Sequence, residues 1–336
     1  MHDRVLSRRH LLAHAAAGAG LLGLGPRALA QGGYPNQSIR FIVPYAAGGV
    51  TDLVMRIVSK QVSEKIGQPV VIDNRAGAGG MVGVTAVAKA AANGYTIGAT
   101  ASSSIIASPL LNAEVPYNAD TDFSYISLVA TVPMVLCVAA SVPAKDGADF
   151  LKWVRANKGK LSYGSTAIGH YGHVALMEVS DSQQAGMVHS PYKGETPLMQ
   201  DFLGGQLNCA FFAPSTARPY AESGKLRMIG VSGTQRLKNM PDLPTLVEQG
   251  WTAPVFAMNP GWVGVIAPAG TPAPIVQRLS AEYQAAVNTP EVYGKIIDNG
   301  MAPVGSTSEQ FFATYRKERP MWKELLVKAG LDVKGA

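Results

Sequence analysis

Tyr45-Ala46-Ala47-Gly48-Gly49-Val50-Thr51-Asp52 sets two adjacent glycines, a hydroxyl and a carboxylate just ahead of an amphipathic run. Glycines let the chain turn sharply and bring bare backbone close to whatever lies above them. The first N–H groups of a helix have no partner within it, and the helix dipole adds partial positive charge there. Such a turn suits a small anion, a carboxylate as well as a phosphate. The same residues also make an ordinary strand-to-helix turn in an α/β protein, so this stretch alone leaves both readings open. A second turn of the kind is Ser165-Thr166-Ala167-Ile168-Gly169-His170-Tyr171-Gly172-His173. Lys193 is either a cationic partner for a carboxylate or a solvated loop lysine. Tyr45 either walls a pocket or belongs to the core, and its place beyond the end of its strand favours the wall.

Other chemistry is poorly supported. His170 and His173 stand three apart and can share a helix face, but there is no H-E-x-x-H, no nearby cysteine and no third ligand. No metal is expected; a ligand hydrogen bond and a structural role both remain open for these rings. G-x-S-x-G and G-x-x-x-x-G-K-[ST] are absent, and no pair of acids stands out as an acid–base couple. Gly18-x-Gly20-x-x-Gly23 matches the dinucleotide fingerprint, but no strand precedes it. No cofactor is expected, and the chain does not read as an enzyme.

The elements that hold these turns alternate strand and helix. Ile39, Phe41, Ile42 and Val43 form an apolar run like a strand buried on both faces. Thr51 or Asp52 can cap the helix that follows, with Met55, Val58, Val62 and Ile66 on its apolar face and Gly67 at its end. Val70-Val71-Ile72 and Tyr95–Thr100 are further strands, leading into Ala76-Gly77-Ala78-Gly79-Gly80 and Ala101-Ser102-Ser103-Ser104; a helix runs from Met81 to about Ala92. Ligands in open α/β sheets bind outside the carboxyl ends of the strands, and three consecutive strands here end in small or polar loops. Val50 and Ser102–Ser104 are candidate wall residues. The region 107–127 reads as an irregular connection towards a second βαβ series between residues 133 and 231. Trp262–Ile266 crosses back, and the tail is helical over Pro274–Val287, Glu291–Asn299 and Ser308–Ala329. The pattern predicts parallel sheets with helices on both faces.

The first thirty residues read as a leader. Ser7-Arg8-Arg9-His10-Leu11-Leu12 is a twin-arginine pattern, an apolar run too short for a comfortable membrane span follows, and Ala28-Leu29-Ala30 is a cleavage signal. Its removal takes away four arginines and one aspartate and lowers the formal charge from +6 to +3. The remaining Lys and Arg are scattered, so nucleic acid is an unexpected partner. Cys137 and Cys209 each lie in an apolar run and are expected as two separate buried thiols, although an exported chain can oxidise them.

The ordered set of motifs resembles the tripartite tricarboxylate transporter substrate-binding proteins, also called the Bug receptors. Pro44–Asp52 is similar to that family's first ligand loop and Asn74–Gly80 to its second signature. Gly94-Tyr95-Thr96, Tyr163-Gly164-Ser165 with Gly169 and His173, Pro191-Tyr192-Lys193-Gly194, Leu203-Gly204-Gly205-Gln206, Pro241–Thr245 and Ala267–Pro272 follow in order. The resemblance implies an α/β fold of two doubly wound lobes, the periplasmic-binding-protein or Venus-flytrap architecture. It implies residues 31–132 plus about 258–336 in lobe 1 and about 133–257 in lobe 2. It further implies a monomeric receptor for a small organic carboxylate, with membrane transporter subunits as partner. Taken together with the reading of the residues, the expected ligand residues are Tyr45, Ala47, Gly48, Gly49, Thr51, Asp52 and Ser103 on one side. Ser165, Thr166, Gly169, His173, Lys193 and Phe212 are those on the other. An exported enzyme on the same lobes, or a sensor serving a signalling partner, are the rival readings. The chain departs from the family at Phe211-Phe212-Ala213, where an acidic residue is frequent, and at the bulky His170 and Tyr171. These departures favour an apolar or aromatic acid over citrate.

Overall fold

Two sheets with the same internal order carry the fold, which a computed structural model describes for residues 33–192 and 194–334. The leader, including its twin-arginine pattern, and Lys193 lie outside the described residues. The chain divides at Asn36/Gln37, and both sheets belong to the unit formed by Gln37–Ala336.

The first lobe opens with β1 (Ile39–Val43), α1 (Val50–Ile66), β2 (Val70–Asn74), α2 (Met81–Ala88), β3 (Thr96–Ala101) and β4 (Phe123–Val132). Ile39, Phe41, Ile42 and Val43 are each at most 1% exposed, as a strand covered on both faces requires. The chain then enters the second lobe through β5 (Val135–Ala139), α3 (Gly147–Ala156), β6 (Ser162–Ser165), α4 (Tyr171–Ser182), β7 (Val188–Pro191), α5 (Glu195–Leu203), β8 (Cys209–Phe212), α6 (Pro214–Glu222) and β9 (Leu226–Val231). It returns as β10 (Gly261–Pro268), α7 (Ala273–Val287), α8 (Pro290–Asp298), β11 (Ala302–Pro303) and α9 (Ser308–Lys328).

The sheets run β2-β1-β3-β10-β4-β11 and β7-β6-β8-β5-β9. Neither is wholly parallel, contrary to the sequence expectation. In each, the first three strands are parallel, and the fourth position is an antiparallel strand: β10 between β3 and β4, and β5 between β8 and β9. β5 and β10 are the strands that follow a crossing between lobes. Entering a sheet at the end where βα loops leave it, such a strand runs against its neighbours.

Three local expectations are corrected. Phe123–Val132 is a ten-residue strand of the first sheet rather than a connection. α2 ends at Ala88, where Lys89 and Ala90 close a turn on Thr85 and Val87. The helix after Ser165 begins at Tyr171, inside the stretch Ser165–His173 that the sequence reads as a turn, with His170 in extended backbone as its first flanking residue.

Cys137 lies opposite Ala210 and Cys209 opposite Val138. Successive strand residues point to opposite faces, so the two thiols face opposite sides of the sheet. Both are free and fully buried, as two separate thiols should be.

Candidate functional site

The loops after β1, β3 and β6 meet at a cavity of about 470 Å³ between the two sheets. Gly49, Val50 and Thr51, the N-terminus of α1, form part of its wall. Opposite them stand His170, Tyr171 and Gly172, the N-terminus of α4. Helix geometry leaves the leading N–H groups of each without an intrahelical acceptor. Both dipoles put their positive ends on one shared space. Thr51 and Thr166 add hydroxyls to the wall, one from each lobe.

Neither Thr51 nor Asp52 caps α1. Gly49, in extended backbone, takes that place, and Gly48 turns the chain with φ +82°. Asp52 reaches back instead: Oδ2 accepts from Gly48 N and Arg56 Nε, both at 2.8 Å, and Oδ1 accepts from Asn74 Nδ2 at 2.8 Å. Burial alone would raise its pKa, but these donors outweigh burial and hold the carboxyl below its ordinary range. Asp52 is therefore a brace that ties the turn to α1 and β2, and it is absent from the cavity wall. Tyr45 crosses the space beside Gly80 and meets Ser103 Oγ at 2.9 Å. Burial, against smaller effects of Ser103 and Ser104, pushes the phenol pKa up.

The second turn is braced in a similar way. Gly169 donates its N–H to His173 Nδ1 at 3.0 Å, so this ring serves its own turn. Ser165 Oγ donates to Ala167 O at 2.9 Å and contacts His189 Nε2 at 2.7 Å. His173 and His189 stack with ring centroids 3.9 Å apart, and Tyr163 stacks on His189 at 4.9 Å. Burial lowers the pKa of His170 and of His173. Burial, and then repulsion by His173, brings His189 down to about 4. All three rings are neutral at pH 7. His170 Nδ1 lies 2.8 Å from Thr166 Oγ1.

Of the residues singled out in the sequence, Tyr45, Gly49, Thr51, Ser103, Thr166 and Gly169 stand on the cavity wall. Ala47 and Gly48 are exposed beside it. Ser165 and His173 lie behind the second turn. Phe212 is fully buried in the core, edge-on to Phe202 at 5.2 Å, so the apolar character expected from Phe211 and Phe212 is not on the wall. It comes from Tyr171, Met134, Val132 and two tryptophans, Trp262 of β10 and Trp322 of α9. Neither tryptophan is signalled by a local motif. Trp262 Nε1 donates to Glu318 Oε2 at 2.7 Å, whereas Trp322 Nε1 is buried with no partner among the described residues. Glu195, at the start of α5, brings a carboxylate to the wall. Its Oε1 accepts from Ala213 N at 2.6 Å and its Oε2 from Thr216 Oγ1 at 3.1 Å. An acid thus reaches Ala213 from a neighbouring helix, although Ala213 itself carries none. Burial raises the Glu195 pKa against those two bonds.

No group of three or more His, Cys, Asp or Glu among the described residues is arranged to hold a metal. A cavity walled by two lobes, with helix N-termini aimed into it from both sides, defines a two-lobed solute-binding protein.

Comparison with known proteins agrees. The profile described as "Tripartite tricarboxylate transporter family receptor" matches residues 54–331. The chain is 33% identical over 299 residues to the "UPF0065 protein in tcbD-tcbE intergenic region" of Pseudomonas sp. (strain P51), covering 89% of this chain and 88% of that one. Among solved structures, the "periplasmic binding protein BugD" aligns with TM-score 0.74 at 31% identity, over 89% of this chain and 99% of that one. "R. palustris Rpa4515 with adipate" aligns with TM-score 0.79 at 28% identity, over the same shares. The chain belongs to the tripartite tricarboxylate transporter receptor family, a family of periplasmic solute-binding proteins rather than enzymes.

Proposed function

We propose that this receptor captures a small organic carboxylate between the N-termini of α1 and α4 and presents it to the membrane subunits of a tripartite transporter. The observation that carries the reading is the meeting of those two N-termini, from different lobes, on one cavity. A carboxylate there accepts N–H groups from both sides, and closing the lobes removes water and strengthens each bond. The similarity to a protein solved with adipate supports a carboxylate as ligand. Tyr45, Gly49, Thr51 and Ser103 contact it from the first lobe, and Thr166 and Gly169 from the second. Gly48, Asp52, Ser165 and His173 keep the two turns in shape, and the receptor works as a monomer. The Ser7–Leu12 pattern directs export through the twin-arginine route; changing Arg8 and Arg9 together to lysine should leave the precursor in the cytoplasm.

The test is a calorimetric and thermal-shift titration of the chain lacking its leader against mono-, di- and tricarboxylates and aromatic acids. A ligand that binds only the folded state raises the melting temperature. At least one carboxylate should bind, and more weakly in Thr51→Val and Thr166→Val. A folded protein that responds to no carboxylate would overturn the reading.

A further inference from the structure

One charge on the cavity wall lacks a counter-charge. Glu195, at the start of α5, is the single formally charged side chain among the described lining residues, and no lysine or arginine stands with it there. Its two hydrogen bonds come from neutral donors, Ala213 N at 2.6 Å and Thr216 Oγ1 at 3.1 Å. An ionised carboxylate offers about four lone-pair positions, so each oxygen can accept once more. The residue is half-buried rather than sealed, which leaves it open to a group in the cavity. A carboxylate partly removed from water calls for a cation, and the described wall supplies none.

The rings around it point the same way. Tyr45, Tyr171, Trp262 and Trp322 all line the space. The face of an aromatic ring is its negative side and attracts an ammonium held within about 6 Å. Trp262 donates its indole N–H to Glu318 at 2.7 Å, which puts a second carboxylate behind that ring. The positive part of the wall is elsewhere, at the N-termini of α1 and α4. Ala213, which Glu195 holds, follows β8, and β8 pairs with β6, the strand that leads into the second glycine turn. Neighbouring strands lie about 4.8 Å apart, so the acidic and the anion-binding parts of the wall stand side by side along one sheet end.

We infer that the ligand is a zwitterion, with its carboxylate at the glycine turns and an ammonium group at its far end, held by Glu195 and by the aromatic faces. This narrows the carboxylate reading of the site and rests on it. The ammonium donates N–H to the lone pairs of Glu195 that Ala213 and Thr216 leave open. Helix α5 thereby supplies a specificity residue that belongs to neither glycine turn. Glu195 selects for a cation and against a second anion.

Calorimetry on the chain lacking its leader compares matched pairs: butanoate with 4-aminobutanoate, hexanoate with 6-aminohexanoate, and 4-methylbenzoate with 4-(aminomethyl)benzoate. The pairs cover a short, a long and a rigid body, and the members of each differ only by an ammonium group at the far end. In at least one pair the amino acid should bind about tenfold more tightly or better, as one charged hydrogen bond provides. In Glu195→Gln the order within that pair should reverse, because an ammonium left without its counter-charge is costlier to bury than a methyl group. A measurement on the unaltered protein guards against a misfolded variant. Exchanging the ammonium for a hydroxyl keeps the size and a donor but removes the charge, and should lose most of the advantage. If carboxylates bind but no pair favours its amino member, this inference is overturned and the receptor reading stands. An advantage that survives in Glu195→Gln, or with the hydroxyl, does the same. A folded protein that binds no carboxylate, zwitterionic or not, overturns both.

Discussion

Gly48 donates its backbone N–H to Asp52 Oδ2 at 2.8 Å, so a carboxylate in the first turn of α1 holds the glycine turn in front of it. The same side chain accepts from Arg56 and Asn74. An acid beside an anion site thus sends its charge inward and leaves the positive end of the helix open to the cavity.

Asp52→Ala should therefore destabilise the protein by about 2 kcal/mol, because it strands donors from the turn, the helix and β2. Since the donors hold the folded pKa below that of the unfolded chain, the contribution is complete above the unfolded carboxylate value of about 3.9. It is lost as pH falls through the lower folded value. Urea unfolding at pH 7 and at pH 3 should show the difference between wild type and Asp52→Ala shrinking in acid. A difference that is constant with pH would remove the charge from the account.

The stacked histidines act over a higher range. His189 titrates near 4 in the fold and about 6.5 when unfolded. A depressed histidine pKa favours the neutral ring, so its stabilising effect is whole above pH 6.5 and declines as pH falls towards 4. The melting temperature of wild type should drop between pH 7 and pH 5, and His189→Asn should flatten that drop. An equal slope in both proteins would show that other groups govern it.

Gly83→Ala tests the packing of α2 on the loop that leads to Tyr45. Alanine ordinarily favours a helix by up to about 1 kcal/mol over glycine. Here its Cβ would lie 2.6 Å from Pro44 Cα and 3.0 Å from Arg75 O, backbone that has little room to give. Overpacking of this kind costs about 1–3 kcal/mol, so the net effect should be destabilising, with weaker ligand binding as Pro44 shifts. A variant as stable as wild type would show the contact to be soft.

Cys137 and Cys209 should give two unreacted thiols. Burial pushes both pKa values up, and their strand register directs them to opposite faces. Mass spectrometry after alkylation should find neither modified in the native protein and both modified after denaturation without reductant. Recovery of a disulfide from freshly exported protein would contradict the register.

Glu195→Gln tests the wall charge. It should raise terephthalate affinity by about tenfold, as removal of a buried like charge does. The benzoate value serves as the reference. A parallel change in both would point to altered α6 capping instead.

Much of the first lobe could be read from the chain because its signals are local. The apolar run Ile39–Val43, the glycine pair and the spacing from Met55 to Ile66 lie within one strand, one turn and one helix. Strand direction is not local, because the alternation of side chains is the same either way along a strand. The antiparallel course of β10 and β5 was therefore hidden. So was the side that Phe211 and Phe212 face, since a wholly apolar strand does not distinguish core from cavity. Trp322 lies in the tail helix, and only the packing of α9 brings it to a site whose glycine turns lie more than a hundred residues earlier. His173 illustrates a different limit: its position in the motif was clear, but its bond to Gly169 N came from the turn's three-dimensional shape.

The place of β10 between β3 and β4 bears on biosynthesis. A nascent chain that has emerged as far as Val231 already holds all five strands of the second sheet. The first sheet at that moment still has a gap, with β3 and β4 waiting for the strand that hydrogen-bonds to both. Two unpaired edges invite wrong partners, and the gap closes only when Gly261–Pro268 has left the ribosome. Where the chain folds as it is synthesised, its first lobe is the last to be finished.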